Sequence, residues 1–109
     1  MGDDRRPELE GEATDEALLA TAFSLSAGVR VLFDPATQGY VLVERGRAFV
    51  LNGTAAAIVL RCTGERTLGA IVEALAGEHD EPARVLREVL AFVRELLQRG
   101  LLETREPRS

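Results

Sequence analysis

Lysine and tryptophan are missing from this 109-residue chain, and cysteine and histidine occur once each. Each scarcity removes a class of chemistry. Without lysine, a glycine-containing stretch such as Gly64, Glu65, Arg66, Thr67 lacks both the cation and the glycine spacing of a phosphate loop. A single cysteine closes no internal disulfide. Cys62 and His79 lie on opposite sides of a predicted helix, whereas a nucleophile and its base need hydrogen-bond reach, and together they offer too few ligands for a metal site. Cys62, four residues after Ile58, reads as a small buried hydrophobe, and His79, between Glu78 and Asp80, as a solvated turn residue. The carboxylate pairs Asp3 with Asp4, Asp15 with Glu16 and Asp80 with Glu81 sit in tails and helix starts, where acids complement the helix dipole. No catalytic residue, metal or cofactor is expected.

All thirteen positive side chains are arginine, scattered and mostly interleaved with glutamate, and the net charge is -5. That balance opposes attraction to phosphate backbones, so no nucleic-acid partner is expected. There is no apolar N-terminal signal core and no run long enough to span a bilayer, which leaves a cytoplasmic protein without a membrane partner as the expectation. Aromatic residues make up 5% of the chain, so its one small core must rest on Leu, Val, Ala and Ile.

What is present has a clear order. Residues 1–24 form an acidic, Gly- and Pro-punctuated extension, expected to be largely disordered, although Thr14 before Asp15 and Glu16 could cap a short helix over Ala17 to Ala22. From Leu25 the pattern becomes that of strands. Val29, Val31 and Phe33 alternate, Asp34, Pro35 and Gly39 supply turn chemistry, and Tyr40 to Val43 follow. Glu44, Arg45 and Gly46 then lead into a third strand, Ala48 to Leu51. Asn52 is a good N-cap for a helix over Thr54 to Cys62, stopped by Gly64, and Thr67 caps a second helix over Leu68 to Ala76. A third runs from an N-cap at Asp80, with Pro82 in its first turn, to about Arg99. There Gly100 ends it, and Leu101 and Leu102 fold back onto the core. The predicted architecture is α+β and winged-helix-like: a three-stranded antiparallel meander followed by three helices, with the domain over residues 25–103 and a disordered tail at 104–109.

Two features of this layout leave surface unassigned. On the third helix Val85, Leu86, Val89, Leu90, Phe92, Val93, Leu96 and Leu97 fill an arc of about 160°, wider than a stripe that only covers a core. One flank therefore either packs a neighbouring helix or lines a groove. The third strand carries apolar groups on both faces and has one unpaired edge, which an extended peptide, the N-terminal segment or a second copy of the chain could cover. A monomer or weak homodimer is expected. Arg66 reads as a surface pair with Glu65, placed where it could grip a peptide carboxylate.

The succession FVLNGTAAAIVLRCTGERTLGAIVEAL, an acidic break and LREVLAFVRELLQRGLL resembles the PqqD family of pyrroloquinoline quinone biosynthesis and, more widely, the recognition domains of ribosomally made, modified peptides. The likeness covers about Leu25 to Glu103. It is carried by Leu51, Asn52, Thr54, Ala55 to Ala57, the Gly64 to Thr67 turn, and Leu90 to Phe92 with Gly100 and Leu101. The resemblance implies a noncatalytic peptide chaperone that binds the leader of a precursor peptide and presents it to a radical S-adenosylmethionine enzyme, which crosslinks a Glu and a Tyr of that precursor. In that family the peptide adds as a strand to the third strand, in a groove formed with the third helix. Carried onto this chain, the resemblance implies Arg47, Ala48, Phe49, Val50 and Leu51 as the pairing edge and Leu86, Leu90, Val93 and Leu97 as groove lining. The chain departs from the pattern in having Leu101 and Leu102 where an aromatic residue would follow the glycine, and in its longer acidic extension. Related domains serve other peptide products, so a different modified-peptide pathway is one alternative. A winged-helix DNA-binding regulator is the other, opposed by a second helix, LGAIVEALA, without positive charge.

Overall fold

The computed structural model describes residues 14–77 and 81–105. Three strands form the expected meander: β2 (Val29–Asp34), β3 (Gly39–Glu44) and β4 (Arg47–Leu51), in the order β2-β3-β4. The first hairpin is shaped by Asp34, whose carboxylate accepts from Ala36 N at 3.1 Å and from the Thr37 hydroxyl at 3.1 Å. The second turns on Arg45 and Gly46, with φ of 49° and 81°. Two successive positive φ values give the mirror-image turn whose twist matches paired strands, and glycine adopts one of them without steric cost.

A second three-stranded sheet accompanies the first, with order β5-β1-β6, built from β1 (Ala22–Leu25), β5 (Thr63–Thr67) and β6 (Leu102–Arg105). None of these strands is among the sequence expectations. Before β1 comes α1 (Asp15–Leu19), capped by the Thr14 hydroxyl; it starts two residues before the helix over Ala17 to Ala22 that the sequence allows, in a segment expected to be largely disordered. Residues 14–24 are thus built into the domain rather than lying outside it: Leu18 is fully buried and Phe23 is 1% exposed. Helix α1 lies so close to α3 (Leu68–Ala76) that a Cβ on Gly69 would stand 3.1 Å from the Leu19 carbonyl oxygen. At the other end, residues expected in the tail form the end of β6.

Helix α2 (Gly53–Arg61) is capped by Asn52, whose side chain accepts from Ala55 N at 2.7 Å, and α3 by Thr67, which accepts from Ala70 N. Gly64 is not the helix stop. Helix α2 ends at Arg61, and Gly64, with φ of 87°, lies within β5 where the β1–β5 register shifts, so its positive φ serves a bulge. Helix α4 (Pro82–Gln98) has Glu81 at its N-cap position, without a side-chain cap bond; Asp80, the expected cap, and His79 lie outside the described residues. Its end follows the expected pattern closely. Gly100 N donates to Leu97 O and Leu101 N to Leu96 O, the paired bonds of a Schellman cap, and Leu101 and Leu102 drop into the core.

The core is wholly apolar among the described residues, with no buried polar or charged side chain. Cys62 belongs to it, 4% exposed, and burial raises its thiol from 9.0 to about 11. The direction has a consequence for stability. Above pH 9 the unfolded chain releases a thiol proton that the folded chain keeps, so stability falls as pH rises between 9 and about 11. Urea denaturation across that range should show a shallower decline for Cys62→Ala than for the natural chain; equal slopes would refute the assignment.

Candidate functional site

The site is built from the outer edge of β4. Its register with β3 pairs Glu44 with Arg47, Val43 with Ala48, Leu42 with Phe49, Val41 with Val50 and Tyr40 with Leu51. A two-residue turn closes on a hydrogen-bonded pair, here Glu44 and Arg47, and antiparallel pairs then alternate. Leu42 with Phe49 is again hydrogen-bonded, whereas Ala48 and Val50 direct their N–H and C=O groups away from β3. β4 is the last strand of its sheet, so those four backbone groups form an open edge. Val50 is 85% exposed, an unusual position for a β-branched apolar side chain on a strand.

Side-chain direction divides the strand further. Leu51 is buried and Phe49 half-buried on the face shared with Leu42, while Ala48 and Val50 lie exposed on the other. Beside β4 runs a hollow of about 490 Å³ lined by Ala48, Phe49, Val50 and Leu51 on one side and by Phe92, Glu95, Leu96 and Arg99 of α4 on the other, with Leu42, Ala55 and Leu101 also in its wall. A second hollow, about 370 Å³, continues from it between the start of α2 and α4, lined by Thr54, Ile58, Glu88 and Ala91. The two share Asn52, Ala55, Phe92 and Glu95, so Phe92 stands at their junction.

Of the residues singled out from sequence, Ala48, Phe49, Val50 and Leu51 come together at this edge. Arg47 stands beside it, ion-paired with Glu44 at 2.7 Å and with its guanidinium 5.4 Å from the centre of the Phe49 ring. The α4 residues are placed differently. Leu90 and Val93 are buried in the core, and Leu86 and Leu97 pack half-buried against it; none of the four lines either hollow. The flank that faces β4 is Phe92, Glu95, Leu96 and Arg99, at the i, i+3, i+4, i+7 spacing of one helical face. Phe92 was visible as the outermost member of the apolar arc on that side, but a helical wheel does not say which flank meets a strand. Arg99 also approaches the Phe49 ring, at 5.5 Å, and donates to Glu95 from Nε and Nη2 at 3.2 and 3.1 Å. Arg66 lies exposed on β5, in the other sheet.

The edge offers unpaired backbone donors and acceptors, and the hollow beside it offers apolar side chains. Burial raises the Cys62 thiol and so favours its protonated form over the thiolate. Among the described residues no group of three His, Cys, Asp or Glu side chains could hold a metal ion, and no helix is long and apolar enough to cross a membrane.

Known proteins are similar to this chain. The family model for coenzyme PQQ synthesis protein D (PqqD) matches residues 30–102. The PqqA binding protein of Gluconobacter oxydans is 31% identical over 94 residues, spanning 85% of this chain and 98% of that protein. That of Rhizobium meliloti is 36% identical over 85 residues, spanning 77% and 87%. Among solved structures, the solution structure of the PqqD portion of Methylobacterium extorquens PqqCD, described as a functional and stand-alone recognition element for ribosomally synthesized and post-translationally modified peptides, superimposes with a TM-score of 0.64. It is 30% identical and covers 74% of this chain and 87% of its own. The matched region runs from inside β2 to the first residue of β6 and takes in both walls of the groove, and on that footing the chain belongs to the PqqD family.

Proposed function

We propose that the chain is a noncatalytic recognition domain that binds the precursor peptide of pyrroloquinoline quinone biosynthesis by adding it as a strand to the open edge of β4, and presents it to a radical S-adenosylmethionine enzyme. The observation that carries this reading is the coincidence of that edge with a hollow of about 490 Å³ on its flank, whose wall includes Phe49, Leu51, Phe92 and Leu96. An extended peptide laid against β4 would satisfy the outward N–H and C=O groups of Ala48 and Val50. Its alternate side chains would enter the hollow against Phe49, Phe92 and Leu96. Backbone pairing supplies affinity without regard to sequence, and the hollow supplies the preference for apolar residues. The relatives called PqqA binding proteins support the choice of ligand.

Calorimetric titration of the chain with synthetic PqqA of Gluconobacter oxydans tests this. Saturable binding in the micromolar range is expected. Absence of heat and of any other binding signal at hundreds of micromolar peptide would contradict the proposal.

A further inference from the structure

We propose that Arg47 and Arg99 together read a carboxylate side chain of the docked peptide, so that an acidic residue seated beside Phe49 decides which peptides this groove accepts. The inference rests on the peptide-docking reading above and concerns selectivity within it.

The two arginines come from different elements, β4 and α4, yet both guanidiniums stand over the same ring, 5.4 and 5.5 Å from the Phe49 centroid. Arg99 lines the hollow and Arg47 stands beside it, so two guanidiniums flank the ring at this end of the groove. Each is balanced by a carboxylate, Glu44 or Glu95, so what this end offers a ligand is guanidinium donors rather than net charge. Farther along, Glu88 in the wall is paired with Arg84 at 3.2 Å. An acidic side chain seated beside Phe49 meets those donors, and the same peptide shifted along the groove loses them.

Both guanidiniums are open to a ligand, with side-chain exposures of 56% for Arg47 and 46% for Arg99. Each already has a carboxylate partner, Glu44 and Glu95 respectively, three and four residues away on its own hairpin or helix. Arg99 and Glu95 are both exposed and hold each other weakly, whereas Glu44, with a side chain 18% exposed, keeps Arg47 more firmly. Both pairs leave donors over: a guanidinium carries five N–H groups, of which Arg47 commits one to Glu44 and Arg99 two to Glu95. Contact with the Phe49 ring restrains both groups, so less side-chain freedom is lost when a carboxylate binds beside them.

The test uses synthetic PqqA of Gluconobacter oxydans and analogues in which each Asp or Glu is changed in turn to Asn or Gln. These are titrated against the natural chain, Arg47→Gln, Arg99→Gln and the double variant, with thermal unfolding recorded for each. The double variant should bind PqqA about tenfold more weakly, in line with loss of a charge-assisted contact. One analogue should weaken binding to the natural chain by a similar factor and bind the double variant no worse than PqqA does. Unchanged affinity of the double variant, or equal losses for every analogue on both proteins, would overturn the inference. Failure of the natural chain to bind PqqA would overturn the docking reading itself.

Discussion

Replacing Val50 by proline should weaken peptide binding at least about tenfold while leaving the melting temperature within a few degrees of the natural chain. The expectation follows from the alternation of the β3–β4 ladder. Val50 faces Val41 across a pair that is not hydrogen-bonded, so its N–H points to the open edge and contributes nothing to the sheet. Proline removes that donor and places a ring where the incoming strand must approach. The side chain is 85% exposed, so no packing is lost. Two comparisons separate docking from folding. Val50→Ala keeps the N–H and should bind almost normally, whereas Phe49→Pro removes a donor used by β3 and should destabilise the domain. Equal affinities for Val50→Pro and Val50→Ala would show that the edge is not paired by the ligand.

Truncating Phe23 to alanine should cost about 3–5 kcal/mol of stability, the range seen when a buried phenylalanine is removed. Phe23 is 1% exposed and lies on β1, the central strand of the second sheet, paired with β5 and β6. Domains of this size have a total stability of roughly 5–15 kcal/mol, so the variant would sit near the edge of folding at physiological temperature. Urea denaturation measures the difference. A loss below about 1 kcal/mol would mean that the segment from Thr14 to Leu25 is not part of the cooperative unit. The ion pair between Asp15 and Arg94, at 2.6 Å, joins α1 to α4 at the surface, while the ladders of β1 with β5 and β6 and the burial of Leu18 and Phe23 tie the segment to the rest of the domain.

The same segment explains where reading the sequence stopped short. β1 is four residues, AFSL, too brief for alternation to register against the polar extension before it. β5 reads TGERT, with no apolar residue at all; pairing with β1 makes it a strand, and no local preference announces it. β6 likewise exists because the Schellman cap at Gly100 turns the chain back beside β1, with Leu25 opposite Leu102. By contrast, the features that depend on one or two residues were legible. Asn52 and Thr67 were visible as caps from their side-chain chemistry, and the β2–β3–β4 meander from its alternation and turn residues.

The candidate site divides along the same line. Its strand half, Ala48 to Leu51, could be read directly, because an apolar strand following a Gly-containing turn and preceding a helix cap has few other places to go. Its helix half could not. Both flanks of α4 are apolar, and only the packing of Leu90 and Val93 into the core leaves Phe92, Glu95, Leu96 and Arg99 facing β4.

The most direct measurement is an amide chemical-shift titration of the isotopically labelled chain with PqqA. Strand addition to β4 predicts the largest shifts at Ala48, Phe49, Val50 and Leu51, with smaller ones along Phe92 to Arg99, and slowed hydrogen exchange of the Ala48 and Val50 amides on saturation. Shifts confined to the free edge of β2 or to the second sheet, with the Ala48 and Val50 amides unmoved and still exchanging freely, would contradict it.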